Sequence, residues 1–228
     1  MNGFTKFFAG AAVALSMTGA AHATTFVQVA TSGFAGPNQI TWDGTAPGEG
    51  TLTVSNLMTI INFDDALFND GIFGQQAVLT LQASTNGTGV LAQSLPNFTQ
   101  AGLDGYFEFR SFSDPSVVLL RGDFTNFWLT GVTTDTSGNF TSVGGQLQLT
   151  SDVVDLSFLK GDNAVFGFTN VNPAYGITGG QLNDFIGSNL VGSFAGYVPE
   201  PSTWALMIGG FMGAGAMLRR RRAMGAFA

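Results

Sequence analysis

The side chains in this chain that could carry chemistry are carboxylates. Glu49, Glu108, Asp64, Asp65, Asp123 and Asp155 are spread through its middle, and glycosidic hydrolysis needs two such groups facing each other across a cleft. None of the six stands in a recognisable catalytic motif. Glu108 and Arg110 alternate along a strand-like stretch, which reads as a same-face, solvated ion pair. Two oxygen-rich stretches, Asp64 and Asp65 with Asp70, and Asp135 with Asn139, hold donors of the kind Ca2+ prefers. Neither matches an EF-hand loop or a Ca-binding repeat, so no catalytic residue, metal site or cofactor is expected.

The missing residue types exclude more. Cysteine is absent, and the one histidine, His22, belongs to a segment expected to be removed. A chain cut after Ala23 would have neither residue. Ser-His-Asp and Cys-His nucleophiles, histidine bases and the usual His/Cys zinc sites all fall away. Charge excludes another class. All 15 acidic residues lie between Thr24 and Glu200, where only Arg110, Arg121 and Lys160 offset them, so 3 minus 15 leaves that segment at −12. Such a surface repels phosphate backbones, and no nucleic-acid partner is expected.

The elements that would position these groups are strands. Thr51 to Val54, Ala77 to Gln82 and Gln146 to Thr150 alternate apolar and polar residues between Gly, Asn, Asp and Pro. Further candidates are Phe26 to Ala30, Gln39 to Trp42, Met58 to Phe63, Tyr106 to Phe112, Val117 to Arg121, Phe124 to Val132, Val153 to Leu159, Val165 to Phe168 and Leu190 to Tyr197. Asn86-Gly87, Asp104-Gly105 and Ser137-Gly138-Asn139 offer the positive φ of tight hairpins, and Asp114-Pro115 presets a turn. Asp64 to Phe68 reads as one capped helical turn, and the Asp184 segment as a short strand or turn. Some ten to twelve short strands predict an all-β, antiparallel β-sandwich or jelly roll; an irregular β-solenoid would need a fixed repeat, and none is found. The aromatics Phe107, Phe109, Phe112, Phe124, Phe127 and Trp128 suggest a sugar-stacking platform, but rings at alternate strand positions belong to a core.

Both ends carry address signals. Residues 1–23 follow the secretory plan: Lys6, an apolar run from Phe7 to Met17, then Ala21-His22-Ala23 as the small-x-small site for signal peptidase. At the other end Ser202 to Leu218 is an uncharged run of 17 residues, about 25 Å as a helix. That length is marginal for a ~30 Å hydrocarbon core. Arg219, Arg220, Arg221 and Arg222 close the run and would stay on the cytoplasmic side. One C-terminal transmembrane helix over 202–218 is therefore expected, holding the exported domain in the membrane by a single pass. Gly209 and Gly213 give it a Gly-xxx-Gly spacing for a helical neighbour.

The string from Val198 to Met207, with Pro199, Glu200 and Pro201 followed by Trp204 and Ala205, then the Gly-rich run and the four arginines, resembles the PEP-CTERM sorting domain in its PEPxxWA form. The resemblance covers the last 30 or so residues. It implies recognition by an exosortase, an integral-membrane protease of exopolysaccharide-producing Gram-negative bacteria, with removal of the tail and delivery to the cell surface or extracellular matrix. The expected organisation is thus a signal peptide (1–23), a β ectodomain (24–197) and a sorting domain (198–228). The expected role is non-enzymatic, in association with exopolysaccharide. A secreted carbohydrate-active enzyme using paired carboxylates, or an uncleaved single-pass protein, are the alternatives.

Overall fold

The computed structural model describes residues 23–31, 39–64, 67–68, 73–142, 146–197 and 208–212. Residues 24–196 form one compact unit. Its strands are β1 (Ala23–Thr31), β2 (Ile40–Ala46), β3 (Glu49–Phe63), β4 (Gln75–Ser94), β5 (Asn97–Ser111), β6 (Val118–Val132), β7 (Gly138–Thr141), β8 (Gln146–Thr150), β9 (Lys160–Thr169), β10 (Ile177–Thr178), β11 (Gln181–Leu182), β12 (Phe185–Gly187) and β13 (Asn189–Tyr197).

The alternation seen in the sequence explains the burial. Along β3 the side chains of Leu52, Val54, Leu57, Thr59, Ile61 and Phe63 are buried, and along β4 those of Ala77, Leu79, Leu81 and Ala83. Their neighbours Thr53, Thr80 and Gln82 are partly or fully exposed. The sheet is therefore apolar inward and polar outward, the reverse of the outward apolar band of membrane barrels.

The sandwich or jelly roll expected from the strand count is corrected by the pairing. The order β1-β13-β9-β7-β6-β5-β4-β3 returns to β1 through the β1–β3 pair, giving an eight-stranded, closed antiparallel β-barrel. Val27 to Thr31 register against Phe63 to Thr59 to close the ring. A closed sheet leaves no edge among its staves, and eight strands enclose a space that side chains can fill. Here they do so with rings: Phe26, Phe107, Phe109, Phe124, Phe127, Phe140, Phe166 and Phe194 are all buried. Centroid separations of 5.2 Å between Phe107 and Phe166, 5.2 Å between Phe107 and Phe194, and 4.3 Å between Phe124 and Phe127 join them into one cluster. Each such ring contributes roughly 1.5–3 kcal/mol through burial alone.

Two of the staves fork. The first half of β3 pairs with β2, from Ile40↔Val54 to Ala46↔Glu49, whereas its second half pairs with β1. The first half of β6 pairs with β8, up to Phe124↔Leu147 and Thr125↔Gln146, and its second half with β7 from Trp128↔Thr141 onward. Each change of partner falls at an asparagine in the left-handed region, Asn56 (φ 51°) in β3 and Asn126 (φ 55°) in β6. Asparagine tolerates this conformation better than other residues with a Cβ, and the bulge it makes bends the strand.

Five sequence expectations change, four of them for the same reason. Asn86-Gly87 and Asp104-Gly105 are not hairpin turns; they lie inside β4 and β5, where the register shifts between Thr85 and Val90 and between Leu103 and Gly105. Positive φ, here 78° at Gly87, serves a bulge as well as a turn. The stretches 51–54 and 58–63 are one strand, as are 117–121 and 124–132 apart from the first residue. Val153 to Leu159 is not a strand, because Ser151 and Asp155 hydrogen-bond the backbone amides two and three residues on and hold a series of turns instead.

The expected transmembrane helix and single-pass anchor are also corrected: among the described residues no helix is long and apolar enough to cross a membrane. Within 202–218 the described part is a helix over 208–212, with Ile208, Phe211 and Met212 exposed. Ala21, the motif Pro199-Glu200-Pro201, Trp204, Ala205 and Arg219 to Arg222 lie outside the described residues, and Ala23 opens β1.

Candidate functional site

The predicted carboxylates divide between ion pairs and turns. Glu108 stands on the outer face of β5 opposite Arg121 of β6. Its Oε1 accepts from Arg110 Nε at 2.5 Å and its Oε2 from an Arg121 amino group at 3.3 Å. Arg121 also forks onto Asp123, at 3.0 and 2.7 Å, and lies 4.7 Å from the centre of the Tyr106 ring. The hydrogen bond to Asp123 raises the Arg121 pKa further, against a smaller effect of desolvation. Glu108 and Asp123 therefore meet across the Arg121 guanidinium, and with Arg110 the two carboxylates face two cations. Two carboxylates fixed on one cation with a side chain only 12% exposed at Glu108 have no cleft between them for a sugar ring.

Glu49 is exposed at the start of β3. Asp64 follows β3, its amide donating to the Phe26 carbonyl and its own carbonyl accepting from the amides of Leu67 and Phe68, while Asp65 and Ala66 of the expected capped turn lie outside the described residues. Asp155 holds the Ser157 amide at 2.9 Å, which lowers its pKa, and Asp114 does the same with the hydroxyl and amide of Ser116. The Asp114-Pro115 turn is thus where the sequence placed it. Asp135 accepts from the Thr136 amide at 2.6 Å. Asp65 and Asp70 lie outside the described residues. Among the described residues no group of three or more His, Cys, Asp or Glu could hold a metal ion.

The aromatics separate equally clearly. Phe107, Phe109, Phe124 and Phe127 are core, as the alternation predicts, and Trp128 is half-buried. Phe112 is the exception, more than half exposed at the end of the β5 segment.

Open concavities lie elsewhere, on the outer face of β7, β9, β13, β1 and β3. An open groove of about 430 Å³ is lined there by Gln28, Asn62, Asn139, Ser193, Val191 and Gly167, among others. Among the described residues no ionisable one lines it. A second cleft of about 320 Å³ shares Thr25, Gln28 and Asn62 with the first and adds Asp64 and Phe73. Phe73 is 75% exposed. Its position is set by the next residue, since the Gly74 amide donates to Asn62 Oδ1 at 2.6 Å and Gly74 takes a φ of 66°. The groove owes its depth to Gly167, where a Cβ would sit 3.1 Å from Val191 Cγ2 and 3.6 Å from Asn139 Oδ1.

Sequence reasoning did not single out this groove. Gln28 and Asn62 do stand at polar positions between buried Val27 and Val29, and between Ile61 and Phe63, so their outward direction was readable. Their neighbourhood was not, because it depends on barrel closure through β1–β3 and β13. Comparison with known proteins adds no constraint on this surface: no family model, no curated protein and no solved structure matches the chain.

Proposed function

We propose that this chain is an exported, exosortase-processed protein of the cell surface or extracellular matrix, non-enzymatic and associated with exopolysaccharide. The observation that carries the reading is the C-terminal string Pro199-Glu200-Pro201 with Trp204, Ala205 and the Arg219 to Arg222 run, found in a chain whose first 23 residues follow the secretory plan. The barrel supports the non-enzymatic part. Its interior is filled with phenylalanine rings, and Glu108, Asp114, Asp123 and Asp155 are engaged in ion pairs or turns rather than aimed across a cleft.

The reading is tested by the intact mass of the protein recovered from the matrix of cells with and without the exosortase. The expected product starts at Thr24 and lacks the segment after the Pro-Glu-Pro motif, and disappears from the matrix when the protease is deleted. An uncut C-terminus in the matrix fraction, unchanged by the deletion, would sink it.

A further inference from the structure

We propose that the groove over β9, β13 and β1, together with the Phe73 ring beside it, is a binding site for an uncharged hexose polysaccharide. The inference deepens the matrix reading above by naming a ligand class, and rests on that reading only for its biological setting.

The lining is what points to a neutral sugar. Gln28 and Asn139 each carry both a carbonyl acceptor and an amino donor, Asn62 offers its amino donor while its Oδ1 holds the Gly74 amide, and Thr25 and Ser193 add hydroxyls that can do either. Such groups match the hydroxyl array of a hexose, whose own O–H groups donate and accept in turn. Among the described residues of the main groove no side chain ionises, so a charged ligand finds no partner among them. A polyuronate would in addition meet Asp64 in the adjoining cleft and the −12 charge of the segment Thr24 to Glu200, in which 15 acidic residues face three basic ones.

Phe73 supplies the remaining component. A hexose has apolar C–H faces as well as hydroxyls, and an exposed aromatic ring packs against such a face. Leaving a phenylalanine 75% exposed has no benefit for the core. Anchoring Gly74 to Asn62, a residue that lines both clefts, ties the ring's position to the floor of the groove. Gly167 keeps that floor open, because any side chain there would project between Val191 and Asn139.

The test uses the full-length chain in native affinity electrophoresis through gels containing laminarin, konjac glucomannan or polygalacturonate. Retardation by at least one neutral glucan or glucomannan, and none by polygalacturonate, is expected. Phe73→Ala should weaken it about tenfold, and Gly167→Val should abolish it by filling the groove. Gln28→Ala, on the surface of β1, provides a second loss that does not depend on the folding of the glycine variant. Phe112→Ala, which removes an exposed ring elsewhere, should leave mobility unchanged. Free migration through both neutral gels overturns the proposal, as does retardation that survives Phe73→Ala and Gln28→Ala, or equal retardation by polygalacturonate. Failure here with a correctly trimmed protein still in the matrix would remove the groove and leave the sorting reading standing. Sugar binding by a chain that is never trimmed would do the opposite.

Discussion

Phe107 lies over Gly122, its registered partner across β5 and β6, so closely that a Cβ at Gly122 would overlap the ring. The glycine is a seat for the ring rather than a flexible joint. Phe107 in turn contacts Phe109, Phe124, Phe166 and Phe194, which makes this pair the place where two walls of the barrel are keyed to its filling.

Gly122→Ala should therefore destabilise the fold by about 1–3 kcal/mol, the range for forcing one extra carbon into a packed core. The comparison with the parent is made in chemical denaturation, and a loss below about 0.5 kcal/mol would show that the ring can move aside.

The Asn126 amide donates to Asp104 Oδ1 at 2.8 Å, at the point where β6 exchanges β8 for β7. With φ at 55°, Asn126→Gly should lie within about 0.5 kcal/mol of the parent, and Asn126→Val should cost about 1–3 kcal/mol because a β-branched residue is strained there. Equal stability of the two variants in a urea titration would remove the bulge from the account of the fork.

Glu108→Gln leaves Arg110 and Arg121 without their shared carboxylate. The guanidiniums are well exposed, 42% and 36% at their side chains, so the expected loss is about 1 kcal/mol rather than the several of a buried pair. Screening should shrink the difference, and the check is the Tm difference between parent and variant in low and high salt. A difference that grows with salt would contradict the ion-pair account.

The Tyr175 hydroxyl is buried with no hydrogen-bond partner among the described residues, and its ring lies 5.1 and 4.9 Å, centroid to centroid, from those of Phe98 and Phe185. Burial, followed by the nearby charge of Asp135, raises its pKa far above the usual tyrosine value. The folded protein thus keeps the phenol protonated while the unfolded chain ionises near pH 10. The stability tied to this group is complete below about pH 10 and falls above it, by at most about 1.4 kcal/mol per pH unit. Tyr175→Phe should move base-induced unfolding to higher pH, with little cost at neutral pH because no hydrogen bond is lost. Unfolding at the same alkaline midpoint in both proteins would assign the transition to other groups.

The features legible without coordinates were those set by near neighbours. The alternation of Leu52 and Val54, or of Phe107 and Phe109, marked the buried face of a strand. The spacing of Glu108 and Arg110 marked an ion pair, and Asp114-Pro115 a turn. The string on which the proposed sorting role rests, and the arginine run after it, are adjacent residues, so that resemblance needs no coordinates. Phe73 and the groove were missed because Gln28, Asn62, Asn139, Gly167 and Ser193 come from five separate strands, and nothing local brings them together.

What the chain order determined by itself is therefore the all-β class, the inward and outward sides of most strands, and the thiol chemistry removed by the lack of cysteine. The tertiary structure alone decided that the sheet closes. Period-two alternation buries one face whether the sheet is half of a sandwich or the wall of a barrel. The choice rests on the long-range registration of Val27 to Thr31 with Phe63 to Thr59, and on whether Asn56, Gly87 and Asn126 end a strand or bend it. Both outcomes use the same left-handed backbone, so only the partner strands distinguish them.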